Sequence, residues 1–300
     1  MRGTAPGTRG RGIAGALLAA TVALGACALP AAHPPGAGWA VHRIQAAAIR
    51  ESSGLVRSRT HPGVFWTHND SGDRPRIFAI GPTGEALAEF QVDGARAVDW
   101  EDVAIDDAGY LYVGDFGNNR GERRDLVVYR LREPDPARGT GRVRVDRALR
   151  FRYADQERFG EDPHDFDAES LVWLDGSLYV FTKHRSDGYT TLYRLSVVAP
   201  PGEQVLEPLA KIALGGGASR ILGNASAADA SPDGRRIALL TYRAIFVFER
   251  AGRHPVPSGP MTRIDLDLLR TRQVEGIAWD GDALVVANEQ RQLFRIPAPR

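Results

Sequence analysis

Past residue 38 the chain runs in short apolar stretches broken by Asp-Gly, Pro-Asp-Gly and Asn-rich turns, with almost no helical periodicity. That pattern predicts strands joined by tight turns, an all-β chain. The runs also resemble one another. Five segments open a unit: ESSGLV (51–56), WEDVAI (100–105), AESLVW (168–173), AADASP (227–232) and VEGIAW (274–279). Each leads into a second apolar run: VFWTHND (64–70), YLYVGDF (110–116), SLYVFTK (177–183), RIALLTY (236–242) and ALVVANE (283–289). A third follows in every unit: RIFAIG (76–81), LVVYRLR (126–132), TLYRLS (191–196), AIFVFER (244–250) and QLFRIP (292–297).

Four units continue into a fourth run, at 85–92, 144–153, 207–214 and 261–268, and the fifth does not. The missing strand is supplied by WAVHRIQA (39–46), which precedes the first unit. Repeated four-stranded sheets closed by an N-terminal strand predict a β-propeller, an arrangement without exposed sheet edges along its ring. The count expected is five blades, or six if the 197–225 stretch holds another.

The first 26 residues follow a different rule. Arg2, Arg9 and Arg11 precede an uncharged run, Ile13 to Ala26, with no acidic residue. Fourteen helical residues span about 21 Å, short of the ~30 Å hydrocarbon core, so the run predicts a signal peptide and not a membrane span. It closes on Leu24-Gly25-Ala26-Cys27, which resembles the lipobox of bacterial lipoproteins. That resemblance implies cleavage before Cys27, the chain's single cysteine, and a lipid on its sulfur. The expected organisation is a lipoprotein signal peptide over 1–26, a lipidated Cys27 with a Pro/Ala/Gly spacer over 27–38, and a propeller domain over 39–300. The expected location is the extracytoplasmic face of the cell membrane, lipid-anchored, as a monomer.

Charge narrows the partners. Without the leader's three arginines the formal charge falls from +1 to −2, which offers nothing to nucleic acid. A small-molecule, glycan or protein ligand is expected instead. With one cysteine no disulfide framework forms, so stability rests on the apolar core.

In a propeller the start of each first strand and the end of each second strand share one face. The polar residues fall there. Ser53, Glu101, Glu169, Ser226 or Asp229, and Glu275 stand at first-strand starts. Asn69, Asp70, Asp115, Asn118, Thr241, Tyr242 and Glu289 stand at or just after second-strand ends, with His68, Lys183 and His184. Carboxylates facing across a narrow channel repel unless a cation sits among them, and oxygen-only ligands suit Ca²⁺. His68, His184 and Lys183 are the candidate catalytic groups. The same residues can equally be wall and turn residues, hydrogen-bonded to their own backbone.

The first-strand motifs ESSGL, DWEDVAI, DAESLVW, ASAADASP and VEGIAW resemble those of the five-bladed calcium-activated apyrases. The resemblance implies an axial Ca²⁺ with one serine or glutamate per blade, here Ser53, Glu101, Glu169, Ser226 and Glu275, and cleavage of nucleoside diphosphates. The second-strand ends do not match, so the metal carries over better than the substrate. The HNDSG, DWED and SPDG segments are similar to a group of secreted bacterial propellers, which implies fold and export without an activity. Two functions follow as expectations. One is a ligand-binding or scaffold module. The other is a calcium-dependent hydrolase of phosphate esters, phosphoanhydrides or lactones, in which the metal polarises the substrate or its attacking water.

Overall fold

The computed structural model describes residues 38–214, 224–252, 254–256 and 259–299; the leader, Cys27, most of the spacer and Gly215–Gly217 lie outside them. After β1 (Ala40–Arg43), the chain builds its first blade from β2 (Ser52–Arg57), β3 (Phe65–Asn69), β4 (Arg76–Ile80) and β5 (Ala86–Asp93). The second blade is β6 (Trp100–Ile105), β7 (Tyr110–Asp115), β8 (Val127–Arg132) and β9 (Thr140–Tyr153). The third is β10 (Asp167–Leu174), β11 (Ser177–Lys183), β12 (Tyr189–Leu195) and, after the short β13 (Glu203–Leu206), β14 (Pro208–Ala213). The fourth is β15 (Ala225–Ala230), β16 (Arg236–Thr241), β17 (Ala244–Glu249) and β18 (Met261–Asp265). A single helical turn, α1 (Leu268–Thr271), leads to the last blade: β19 (Val274–Asp280), β20 (Ala283–Asn288) and β21 (Gln292–Pro297).

The fold is a β-propeller. Strands within each blade are antiparallel. The inner strands meet in sequence, β2 with β6, β6 with β10, β10 with β15 and β15 with β19, and β19 returns to β2. The ring of described residues thus closes at five blades. β1 completes the last blade by pairing with β21, Ala40 opposite Arg295 and Arg43 opposite Gln292, so 39–46 does supply the missing strand.

Burial follows from position. An inner strand is covered by its neighbours on both faces, so Trp100–Ile105 is buried at every residue. An outer strand shows one face to water, and β9 alternates exposed and covered residues along most of its length. The core is divided into five wedges, one per blade interface. The wedge between the last and first blades, for example, joins Leu55, Phe65 and Phe78 to Ala278, Val285 and Leu293. Trp66 and Trp100 fill the wedge between the first two blades, Trp279 the one before the last blade, and Trp173 stacks on Tyr112 at 5.7 Å. These tryptophans are packing residues.

Two pairings had no signal in the repeat pattern. The first half of β9 leaves its own blade and runs parallel to β5, Glu89 opposite Thr140 through Asp93 opposite Arg144. Inside 197–225, β13 pairs parallel with the end of β9, Glu203 opposite Arg150 through Leu206 opposite Tyr153. That segment therefore straps the third blade to the second. Among the described residues it forms no sixth blade.

Candidate functional site

Every inner strand carries a register shift at the same level: between Ser53 and Leu55, Trp100 and Val103, Ala168 and Ser170, Ala225 and Ala227, and Val274 and Gly276. A bulge leaves one residue outside the ladder and turns its side chain away from the sheet. Glu169, Ser226 and Glu275 are those residues in three blades, and Glu101 with Asp102 occupies the bulge of a fourth. In the first blade the irregular residue is Gly54, next to Ser53, at φ +63°. A Cβ there would stand 2.7 Å from His68 Nε2 and 3.0 Å from the Asp102 Cα, so only glycine fits. Glu169, Ser226 and Glu275 are therefore structurally equivalent, Glu101 shares its bulge with Asp102, and Ser53 stands one residue before the irregular position.

Their chemistry differs. Ser53 Oγ donates to the Glu101 carbonyl at 2.7 Å and Ser226 Oγ to the Val274 carbonyl at 2.8 Å, each tying its blade to the next. Asp229, the alternative to Ser226, has both oxygens occupied. Oδ1 accepts from the Ala230 amide and Oδ2 from the Trp279 amide, each at 2.8 Å. Glu169 lies 2.9 Å from Lys183 Nζ. Burial by itself would lower the Lys183 pKa, but the Glu169 carboxylate beside it outweighs that and holds the ammonium charged. Lys183 also sits over the Tyr242 ring, 5.6 Å from its centre.

Glu101 and Glu275 are different again. Both are buried, at 6% and 7% exposure. Among the described residues the Glu101 carboxylate has no hydrogen-bond or ion-pair partner. Glu275 Oε1 accepts from the Tyr242 hydroxyl at 3.1 Å, while its Oε2 is buried with no partner. Burial raises both pKa values well above the usual carboxylate range. Glu169, Asp70, Asp99 and Asp167 add to the effect at Glu101, and Glu169, Glu289 and Asp70 add to it at Glu275. Asp99 is pushed up to about 6, first by burial and then by Asp70 and Asp167.

These acids gather in two groups. The carboxylate oxygens of Asp70, Asp99 and Glu101 lie within 4.8 Å of one another, and so do those of Asp70, Glu275 and Glu289. Asp70 belongs to both because the first blade stands between the second and the last. Gly117 makes room for the first group: a Cβ there would collide with the carboxylates of Glu101 and Asp99. The basic groups nearby are already matched, Lys183 to Glu169, Arg185 to Asp167 and Arg123 to Asp115. Among the described residues none of Asp70, Asp99, Glu101, Glu275 and Glu289 makes an ion pair.

The remaining sequence candidates hold the frame. Asn69 accepts from the Arg50 amide and donates to the Ala48 carbonyl and to Asp73. Asp115 accepts from the Asp99 amide, and Asn118 joins the Arg123 amide to the Phe166 carbonyl. Thr241 closes the turn to Ala244. His68 is fully buried between blades, edge-on to Trp100 at 5.5 Å, and donates from Nδ1 to the Asn69 carbonyl. Burial pushes its pKa down to about 4, so it is a neutral wall residue. His184 is held by Asp187 and Thr191, each at 2.8 Å. Burial lowers its pKa against the pull of Asp165 and Asp187.

No family model matches the chain, and no curated relative does. Among solved structures the chain is similar to the major allergen Mala s 1 of Malassezia sympodialis, with 11% identity, a TM-score of 0.57, 86% of this chain and 95% of the other covered. Weaker likenesses are to virginiamycin B lyase from Staphylococcus aureus, at 11% identity and TM-score 0.42 over 83% of this chain and 66% of that one, and to a chain of the mitotic checkpoint complex, at 14% identity and TM-score 0.38 over 82% and 63%. At 11% identity the likeness to the allergen concerns the fold alone.

Proposed function

We propose that this protein is a calcium-dependent binding module, carried on the outer face of the cell membrane by a lipid on Cys27, with its ligand site at the acidic mouth of the propeller. The observation that carries the reading is the Glu275 carboxylate, buried with one oxygen unpartnered, beside other acids that have no basic partner. Leaving an ionised carboxylate buried and unpaired costs several kcal/mol. A cation removes that cost. The donors are all oxygens, which suits a hard ion, and flexible carboxylates from two adjacent blades suit the 6–8-ligand preference of Ca²⁺ better than the octahedron of Mg²⁺.

Asp70, Glu275 and Glu289 would hold the ion, with Glu169 fixed by Lys183 at the side. The ion's chemistry would be charge neutralisation and a Lewis-acidic contact for a ligand oxygen. The chain's own residues supply the rest: Tyr242 orients Glu275, Gly117 keeps Glu101 accessible, and the Ser53 and Ser226 hydroxyls lock adjacent blades. Binding is favoured over hydrolysis because His68 is fully enclosed between blades, out of reach of a ligand at the mouth, and both nitrogens of His184 are occupied.

Calorimetric titration of the mature protein with Ca²⁺, against Mg²⁺ and after chelation, tests the site. Saturable Ca²⁺ binding that Glu275→Gln weakens is expected, and no binding would end the proposal. The anchor has a separate test: Cys27→Ser should move the protein from the membrane to the soluble fraction and abolish fatty-acid labelling. Among the described residues no helix is long and apolar enough to cross a membrane.

A further inference from the structure

We infer that the mouth holds two divalent cations, with the Asp70 carboxylate as the ligand they share. The inference rests on the calcium reading above and adds a second ion to it. One site is Asp70 with Asp99 and Glu101, between the first and second blades. The other is Asp70 with Glu275 and Glu289, between the first and last.

Three observations support two ions over one. First, reach: with Ca–O bonds of about 2.3–2.6 Å, one ion contacts oxygens up to about 5 Å apart. Each triad falls inside that limit, its ligand oxygens all within 4.8 Å of one another, and neither contains both Glu101 and Glu275. Second, each triad has its own buried carboxylate without a protein partner. In one it is Glu275 Oε2, enclosed and unpartnered, and in the other the Glu101 carboxylate, which is 6% exposed, makes no side-chain hydrogen bond among the described residues and lies beside Asp99 at Gly117. Third, charge: fully ionised, the five carboxylates of the two triads would carry five negative charges, which burial and mutual repulsion oppose, and the nearby cations are matched elsewhere. One divalent ion leaves three charges in a buried mouth, and two leave one. Repulsion among buried like charges makes the second arrangement the more favourable.

The oxygens already occupied leave room for this. Asp70 Oδ1 accepts from the Ser71 amide at 2.6 Å, Glu275 Oε1 from the Tyr242 hydroxyl at 3.1 Å, Glu289 Oε1 and Oε2 from Gln273 and Gln290 at 3.0 and 3.4 Å, and Asp99 Oδ2 from Asn119 at 3.4 Å. Each bond uses one lone pair of an oxygen that has a second, and each orients its carboxylate without neutralising it.

Equilibrium dialysis of the mature protein against radioactive Ca²⁺ counts the ions directly. The wild type should bind two per chain. Asp99→Asn and Glu289→Gln should each remove one and leave the other, and Glu101→Gln should repeat the Asp99 result. Asp70→Asn should weaken both by at least about ten-fold. Melting in chelator, where removing a like charge should not lower stability, confirms that each variant is folded. One ion in the wild type would overturn the inference and leave the calcium reading standing. So would an Asp70→Asn variant that still binds two ions with full affinity. No ion at all would overturn both.

Discussion

Glu101 and Asp102 are neighbours in the second blade's inner strand, both acidic and both buried, yet they do opposite things. Asp102 is fully enclosed. Its Oδ1 accepts from the Val103 amide at 2.8 Å, and its Oδ2 accepts from Leu171 at 2.8 Å and from Ala228 at 3.4 Å. One side chain therefore ties the second blade to the third and fourth across the channel. Asp229 repeats the device toward the last blade through Trp279. Glu101, one residue earlier, has no partner among the described residues. Burial and residue type are the same in the two tiers. What separates a structural carboxylate from a site carboxylate is whether its lone pairs are already occupied by backbone N–H groups.

The largest effect should come from the inner tier. Asp102→Ala strands three buried amide donors and should cost about 2–4 kcal/mol in urea unfolding, whereas Glu101→Gln without calcium should be neutral or stabilising. If the two costs were equal, the distinction would fail. The next effect belongs to the mouth. Calcium at a hundred times its Kd should stabilise the wild type by about 2.7 kcal/mol, read as a shift in Tm. Glu275→Gln should lose most of that shift, and Asp102→Asn should keep it wherever it remains folded.

Smaller, but sharper in sign, is the pH dependence. Burial pushes Asp229 from its ordinary 3.8 up to about 7, against the opposing pull of the Trp279 and Ala230 amides. The folded chain therefore binds this proton more tightly than the unfolded chain. Its contribution is fully present below about pH 4 and is lost as pH rises through 7, with a slope of at most about 1.4 kcal/mol per pH unit. Asp229→Asn should remove that component from stability measured between pH 4 and 7. His68 runs the other way. Its pKa falls from 6.5 to about 4 on burial, so its contribution is present above 6.5 and lost as the solution is acidified toward 4. His68→Gln should abolish that acid sensitivity, and an unchanged slope in both variants would place the titrating groups elsewhere.

Much of the fold was legible in the chain because strand burial leaves a direct trace. Inner runs such as LVW and VFW are apolar throughout, outer runs alternate, and the fifth unit visibly lacks a strand that 39–46 can provide. The common level of Ser53, Glu101, Glu169, Ser226 and Glu275 was legible for the same reason, since each follows from its place in a repeat. The fate of each side chain was not. Ser226 and Asp229 lie three residues apart and both suit a ring of oxygen ligands, but only the neighbouring blade reveals that the Trp279 amide already holds Asp229. His68 reads as a mouth residue by position and is enclosed by Trp100 and Gly54. Arg185, which neutralises Asp167, had no repeat partner to mark it.

The sequence by itself determined the strands, their grouping into units and the level at which polar residues gather, because local alternation and repetition specify which face of each strand is covered. Only the tertiary structure decided which acids remain without partners and that Asp70 joins two of their groups. The reason is ring closure: residues 70, 99–101 and 275–289 are far apart in the chain, and they meet only when the last blade packs against the first.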